Sequence, residues 1–312
     1  MASIAYLGPA GTFTEAALLQ MTGAGMVPQR GGRDWQPLPV DSTTAALDAV
    51  RDGAADFACV PIENSIDGSI MPTLDSLAIG TALQVFAELT LDVAFSIAVK
   101  PGRTAADVRT LAAFPVAAAQ VRHWLAAHLP AAELRPAISN ADAAQQVADG
   151  LVDAAVSSPL AVTHRGLSTL AEGVVDEANA RTRFVLVGRP GPPPARTGAD
   201  RTSVVLRIDN APGALVSTLA EFGMRGIDLT RIESRPTRTE LGTYVFFLDC
   251  VGHIDDDAVA EALKALHQRC TDVRYLGSWP TGEVDGAPPP PSDEAARWLA
   301  GLRGGSVDGS AR

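Results

Sequence analysis

Lysine is nearly absent from this 312-residue chain. Only Lys100 and Lys264 occur, so almost all of the 25 basic residues are arginine. Lys100 stands just before Pro101-Gly102 and Lys264 lies within a helical pattern. Neither belongs to a GxxxxGK[ST] phosphate loop, and neither setting points to a Schiff base. Cysteine is scarce and odd in number. Cys59, Cys250 and Cys270 are too scattered for a CxxC metal or redox site, and they fit a reducing compartment. The histidines (His123, His128, His164, His253, His267) never form HExxH or a close His/Cys cluster, so no metal site and no cofactor are expected. Long apolar runs are missing too. The most apolar stretch, "VAFSIAV" (93–99), is far short of the roughly 20 residues that span a bilayer. The start, "MASIAYLGPAG", has no basic region and meets glycine and proline at once, unlike a signal peptide. A cytoplasmic protein with no membrane partner is expected. Positive charge is outweighed as well: the net charge of −11 argues against nucleic acid and anionic membrane. An anionic substrate would need local counter-charge, from arginines or from amides at helix starts.

What is present is an Ala/Val/Leu-rich chain with 46% hydrophobic and 5% aromatic residues, long enough for two domains. Residues 3–188 alternate strands and helices. "SIAYLG" reads as a strand and Thr14 to about Met21 as a helix. "STTAALDAVRDG" is a helix with Ser42 as N-cap and Gly53 as its stop. "ADFACVPI" is a buried strand, "SIMPTLDSLAIG" a helix and "LDVAFSIAV" one long strand. "AAAQVRHWLAAHL" and "NADAAQQVADG" read as helices, "DAAVSS" and "FVLVG" as strands. The alternation predicts an α/β fold whose ligands bind at the carboxyl ends of strands. The Pro- and Gly-rich 189–200 reads as a semi-rigid linker. Residues 201–280 change to the order βαββαβ, a ferredoxin-like plait. In its second helix Ala258, Ala262, Leu263, Leu266 and Cys270 share one face. Residues 281–312, rich in Pro and Gly, read as a disordered tail apart from a short helix around Trp298.

Three short stretches carry polar groups where a strand meets a loop. "GPAGTFTEAALL" (8–19) is either an ordinary βα turn or a set of hydroxyls and helix-start amides aimed at an anion. "PIENSIDGSI" (61–70) follows a buried strand with Glu63, Asn64 and Ser65 in a row. "ARTRF" (180–184) sets Thr182 and Arg183 at a strand's mouth. A hydroxyl beside a permanent cation suits carboxylate recognition or proton delivery, and Arg183 equally suits a structural ion pair.

Together with "GAL" and "ESRP" further on, the motifs "GPAGTFTE", "PIENSIDGSI" and "NARTRF" resemble the prephenate dehydratase family, over residues 3 to about 280. The resemblance implies a catalytic domain (1–188) of two lobes, like type 2 periplasmic binding proteins, then the linker and an ACT regulatory domain (201–280). The chain starts directly at the dehydratase domain, as in the monofunctional form. The implied reaction turns prephenate, a dianion, into phenylpyruvate with loss of water and CO2. By the same resemblance Thr182 and Arg183 are catalytic, and Thr12, Thr14, Asn64, Ser65, Gln120 and Phe184 contact substrate. Amides of the 8–14 and 63–66 turns would help to neutralise its charge. Phenylalanine would bind at Asn210, Gly213, Ala214, Leu215, Glu233, Ser234, Arg235 and Pro236, between ACT domains paired in a dimer or tetramer. Within that site Pro212 suits the first helical turn, and Gly213 permits close approach of a ligand. Where many relatives read Ser-His-Pro-Gln, this chain has Ala113-Phe114-Pro115-Val116. Arogenate dehydratase and a non-catalytic amino-acid sensor remain the alternatives.

Overall fold

The structure, a computed structural model, describes residues 2–28, 35–177, 179–237, 242–282, 286–291 and 293–305. The chain opens with β1 (Ala2–Leu7), α1 (Phe13–Gly23), β2 (Trp35–Val40), α2 (Thr43–Arg51), β3 (Phe57–Asn64), β4 (Gly68–Ser69), α3 (Met71–Ala78) and β5 (Gln84–Asp92). It continues through β6 (Phe95–Val99), β7 (Thr110–Ala113), α4 (Pro115–Gln120), α5 (Arg122–His128) and β8 (Glu133–Pro136). Then come α6 (Asn140–Asp149), β9 (Ala154–Ser157), α7 (Pro159–His164), β10 (Ser168–Val174) and β11 (Arg181–Gly188). The remainder is β12 (Asp200–Arg207), α8 (Ala214–Gly223), β13 (Leu229–Pro236), β14 (Tyr244–Val251), α9 (Asp257–Arg269), β15 (Asp272–Pro280) and α10 (Asp293–Arg303). Two compact units result: Met1–Ser76 with Ala87–Arg189, and Leu77–Phe86 with Pro190–Arg312.

The first unit has two lobes, each built on one sheet. One sheet runs β2-β1-β3-β11-β5, with β4 added to β3; the other runs β10-β6-β9-β7-β8. Serine and threonine N-caps set the helix starts: Thr12, Ser42, Ser139 and Ser158 each accept an amide hydrogen bond from the first turn. Gly53, at φ +77°, turns the chain after α2. The core of the second lobe gathers Phe95, Ile97, Leu111, Val121 and Val156.

The stretch read as one long strand is two. β5 ends at Asp92 and β6 begins at Phe95, in the other sheet. Leu91, Val93 and Phe95 around the junction are buried, and the exposed Asp92 is the one polar residue at it. The helix read across 117–129 is also two, broken at Val121 (φ −126°, ψ 12°). Strands β2, β7, β8 and β10 and helix α7 carry too little pattern to be read. β2 holds Pro37 and Pro39, which a parallel partner on one side only tolerates at the sheet's edge.

The second unit contains the predicted βαββαβ plait, a four-stranded sheet in the order β13-β14-β12-β15. Its core packs Val204, Leu206, Phe222, Leu248, Val259 and Leu266. Val259 is fully buried on α9, while Ala258, Leu263 and Cys270 are only partly covered, so that face sits slightly off the sequence reading. Pro212 lies outside α8, whose N-cap is Gly213 in the left-handed region (φ 80°). The linker is tied down: His253, wholly buried, meets the Pro194 carbonyl through Nε2 at 3.0 Å, and Arg196 pairs with Asp256 at 2.5 Å. In the tail, α10 runs three turns with Trp298 about midway; residues 283–285, 292 and 306–312 lie outside the described residues.

Gly277 on β15 combines φ +134° with a position where a Cβ would collide with the Val85 carbonyl oxygen. Gly277→Ala is therefore expected to lower stability by about 1–3 kcal/mol from backbone strain, before any steric cost. Thermal unfolding of the variant beside wild type measures this.

Candidate active site

β11 returns antiparallel to β3, placing Thr182 opposite Asn64 and Arg183 opposite Glu63. The Asn64 amide donates from Nδ2 to Thr182 Oγ1 at 2.9 Å. Its Oδ1 accepts from the backbone N–H groups of Ile66 (2.8 Å) and Asp67 (3.0 Å). Those two donors fix which end of the amide is oxygen, so Nδ2 must face Thr182. The hydroxyl therefore receives a hydrogen bond and keeps its own proton to give away. Thr182 is 8% exposed, a hydroxyl nearly removed from water.

Ser65 serves the same turn. Its hydroxyl accepts from Arg181 N at 2.8 Å and donates to the Asn179 carbonyl at 3.2 Å, which pins the approach to β11. The turn leads into a cavity of about 440 Å³ lined by Ile66, Asp67, Pro115, Val116, Ala119, Gln120, Arg122, His123, Asp176 and Glu177. Gln120 is 8% exposed, and among the described residues its Oε1 has no hydrogen-bond partner. A buried amide oxygen left this way costs about 1–3 kcal/mol unless a ligand or water satisfies it. Of the stretch that departs from many relatives, Pro115 and Val116 line this cavity.

Of the two roles the sequence left open for Arg183, the structure shows the ion pair. Successive side chains of a strand point to opposite faces, so the guanidinium does not share a face with the Thr182 hydroxyl. It sits in a clamp of two carboxylates: Nη2 is 2.8 Å from Glu63 and Nη1 is 3.2 Å from Glu88. Glu88 comes from β5 on the other side of β11 and is 7% exposed at its side chain, so three neighbouring strands share the ion cluster.

Some of the amides around the start of α1 are occupied as well. Gly11 N–H donates to Glu15 Oε2 at 2.5 Å, and Glu15 N–H donates to Thr12 Oγ1 at 3.2 Å. Thr12 Oγ1 also donates to the Leu7 carbonyl at 2.9 Å, so Thr12 is an N-cap. The 63–66 turn uses Ser65 N–H on the Arg181 carbonyl and Ile66 N–H on Asn64. Thr14 and Phe184 are buried at 4% and 2%. Burial, aided by the neighbouring Glu15, pushes the Tyr6 hydroxyl up to about 12. Burial does the same to the Cys59 thiol, so no thiolate nucleophile stands in this unit.

In the second unit, a cavity of about 350 Å³ opens where β12 runs into α8. Asn210, Ala214 and Leu215 line it, with Arg207, Asp209, Thr243, Tyr244 and Phe246. Glu233, Ser234, Arg235 and Pro236 end β13 and do not line it, although Thr237, the next residue, does. Nor does Gly213, whose left-handed cap turns the chain into α8.

Two α/β lobes, one of which carries the Asn64–Thr182 pair, followed by a separate βαββαβ sheet, define a binding-protein-like catalytic unit joined to a small-molecule-sensing module. The prephenate dehydratase family model matches residues 4–192, and the ACT domain model matches residues 202–268. The chain belongs to the prephenate dehydratase family and carries an ACT domain. It is 79% identical over 308 residues to prephenate dehydratase of Mycobacterium tuberculosis (strain ATCC 25618 / H37Rv), across 99% of this chain and 96% of that one. Its structure resembles prephenate dehydratase from Arthrobacter aurescens in complex with L-Phe: TM-score 0.85, 39% identity, 97% and 99% of the two chains covered. It also resembles GqqA, described as a novel type of quorum quenching acylase: TM-score 0.76, 29% identity, 89% and 98% covered.

Proposed function

We propose that this protein converts prephenate to phenylpyruvate in phenylalanine biosynthesis, and that phenylalanine regulates it through the ACT domain. In the reaction the prephenate dianion takes up one proton and yields the phenylpyruvate anion, CO2 and water. The bond from the ring to its carboxylate breaks, and that electron pair enters the ring as the C–O bond to the ring hydroxyl breaks. Aromatisation supplies the driving force. The difficult event is departure of hydroxide, which needs a proton or a strong hydrogen bond. The Asn64–Thr182 pair is the observation that carries this reading, because it leaves the Thr182 proton directed away from Asn64. Thr182 donates or relays that proton to the departing hydroxyl in a site screened from water. Gln120 offers its unsatisfied Oε1 to a donor on the substrate. Arg183 acts through Glu63 and Glu88 by holding β3, β11 and β5 in register beneath Thr182. The 79% identical relative named prephenate dehydratase supports the activity.

Asn64→Ala and Gln120→Ala are each expected to lower kcat/KM by about 10-fold or more, with a small change in melting temperature. Steady-state kinetics beside thermal unfolding checks this. A collapse in melting temperature that accounts for the lost activity would make both residues structural.

The regulatory reading rests on the cavity at Asn210, Ala214 and Leu215 and on the L-Phe bound by the Arthrobacter aurescens relative. Its remaining wall, with Glu233–Pro236, comes from pairing of ACT domains in a cytoplasmic homo-oligomer, a dimer or tetramer. The edge strand β13, with Ile232 half exposed at 51%, supports that pairing. Phenylalanine is expected to inhibit with coupling of about 1–3 kcal/mol. Gly213→Val, a β-branched residue forced to φ 80°, is expected to weaken that inhibition. Calorimetric titration with an inhibition curve decides: full sensitivity in a folded Gly213→Val would place the effector elsewhere.

A further inference from the structure

The proposed substrate carries two negative charges into a protein that is itself strongly acidic, and several of the groups first expected to receive them are engaged. Arg183 is matched by Glu63 and Glu88, and the Gly11 and Ile66 amides are taken by Glu15 and Asn64. The cavity that begins at Asn64's turn has two basic residues on its wall, Arg122 and His123. His123 lies near Asp176, its Nδ1 3.5 Å from Oδ2, and Asp176 also accepts from the His123 and Trp124 amides at 2.8 and 3.2 Å. The guanidinium of Arg122 makes no ion pair or hydrogen bond among the described residues. It stands two residues after Gln120, whose buried Oε1 is unpartnered on the same cavity.

We propose that Arg122 anchors the substrate's side-chain carboxylate, the one that survives into the product. This rests on the prephenate reading of the site. The choice between the two carboxylates follows from the chemistry. The ring carboxylate must lose its charge as CO2 forms, so a cation held against it would stabilise the ground state more than the transition state and slow the reaction. The side-chain carboxylate keeps its charge throughout, and a guanidinium there binds substrate, transition state and product alike. Arg122 is thus a binding residue whose removal shows in KM rather than in kcat. Its loss would leave Asp67, Asp176 and Glu177 facing a dianion with no arginine on the wall.

The test is steady-state kinetics with prephenate, and product inhibition by phenylpyruvate, on the wild-type protein, Arg122→Gln, Arg122→Lys and His123→Gln. Arg122→Gln is expected to raise KM about 10–100-fold, the range for a hydrogen-bonded charge pair, with kcat within about threefold of wild type. The inhibition constant of phenylpyruvate should rise by a similar factor, since the product keeps that carboxylate. Arg122→Lys should recover part of the loss, and His123→Gln should change little. Unchanged KM and inhibition constant in Arg122→Gln would overturn the anchor. So would a fall in kcat alone, or a KM effect carried by His123→Gln instead. Absence of turnover in the wild type would overturn the activity itself, and the anchor with it.

Discussion

Thr182→Ala is expected to lower kcat by at least about 10²-fold while the protein keeps its fold, since positioned proton donation typically contributes 10²–10⁴-fold. Thr182 is 8% exposed, and its hydroxyl receives a hydrogen bond from Asn64 Nδ2 at 2.9 Å. Removing it deletes the hydroxyl proton proposed to reach the departing group. It also leaves Asn64 Nδ2 short of an acceptor, a modest stability cost of about 1 kcal/mol that thermal unfolding can separate from the kinetic effect. Thr182→Ser restores the hydroxyl without the methyl and should retain much of the activity. A Thr182→Ala enzyme with near-normal kcat would remove Thr182 from the chemistry.

Arg183→Met should act differently. The substitution keeps much of the volume but leaves Glu88 buried and facing Glu63 with no cation between them. Stripping one partner from a buried ion cluster costs about 3–5 kcal/mol, here reduced because the Glu63 side chain is 41% exposed. A marked fall in melting temperature is expected, together with lost activity. The double variant Arg183→Met/Glu88→Gln should recover part of the stability by removing the stranded charge. If Arg183→Met instead melts like wild type and loses only affinity for prephenate, the guanidinium contacts substrate directly.

That second prediction turns on something the sequence could not show. "NARTRF" places Thr182 and Arg183 side by side, which leaves both a shared chemical role and a structural ion pair open for Arg183. In an extended strand neighbouring side chains leave by opposite faces, which favours the ion pair. Recognising β11 as starting at Arg181 rather than after Arg183 would have decided between them. Asn64 stood out as a polar residue ending a buried strand, whereas Gln120 was marked by the family resemblance alone, since its helix was read as running on through Val121. One of the turn amides is taken for a local reason: Glu15, four residues after Gly11, folds back to accept from the Gly11 N–H. Arg122 gave no signal, as an arginine in an exposed helical stretch looks like any solvated one. The plait was the easiest part to read, since each of its strands and helices carries its own pattern. The hand-over at Val93–Ala94 was the hardest, since only Asp92 interrupts the apolar residues that run from one sheet into the other.

The most direct measurement is a time course of purified wild-type protein with prephenate, following phenylpyruvate and CO2 together, with arogenate in a parallel reaction. The structure and its relatives predict phenylpyruvate and CO2 in equal amounts, at a rate far above that of prephenate alone and lost in Thr182→Ala. No rate above the uncatalysed background, or consumption of arogenate with prephenate untouched, would contradict the assignment.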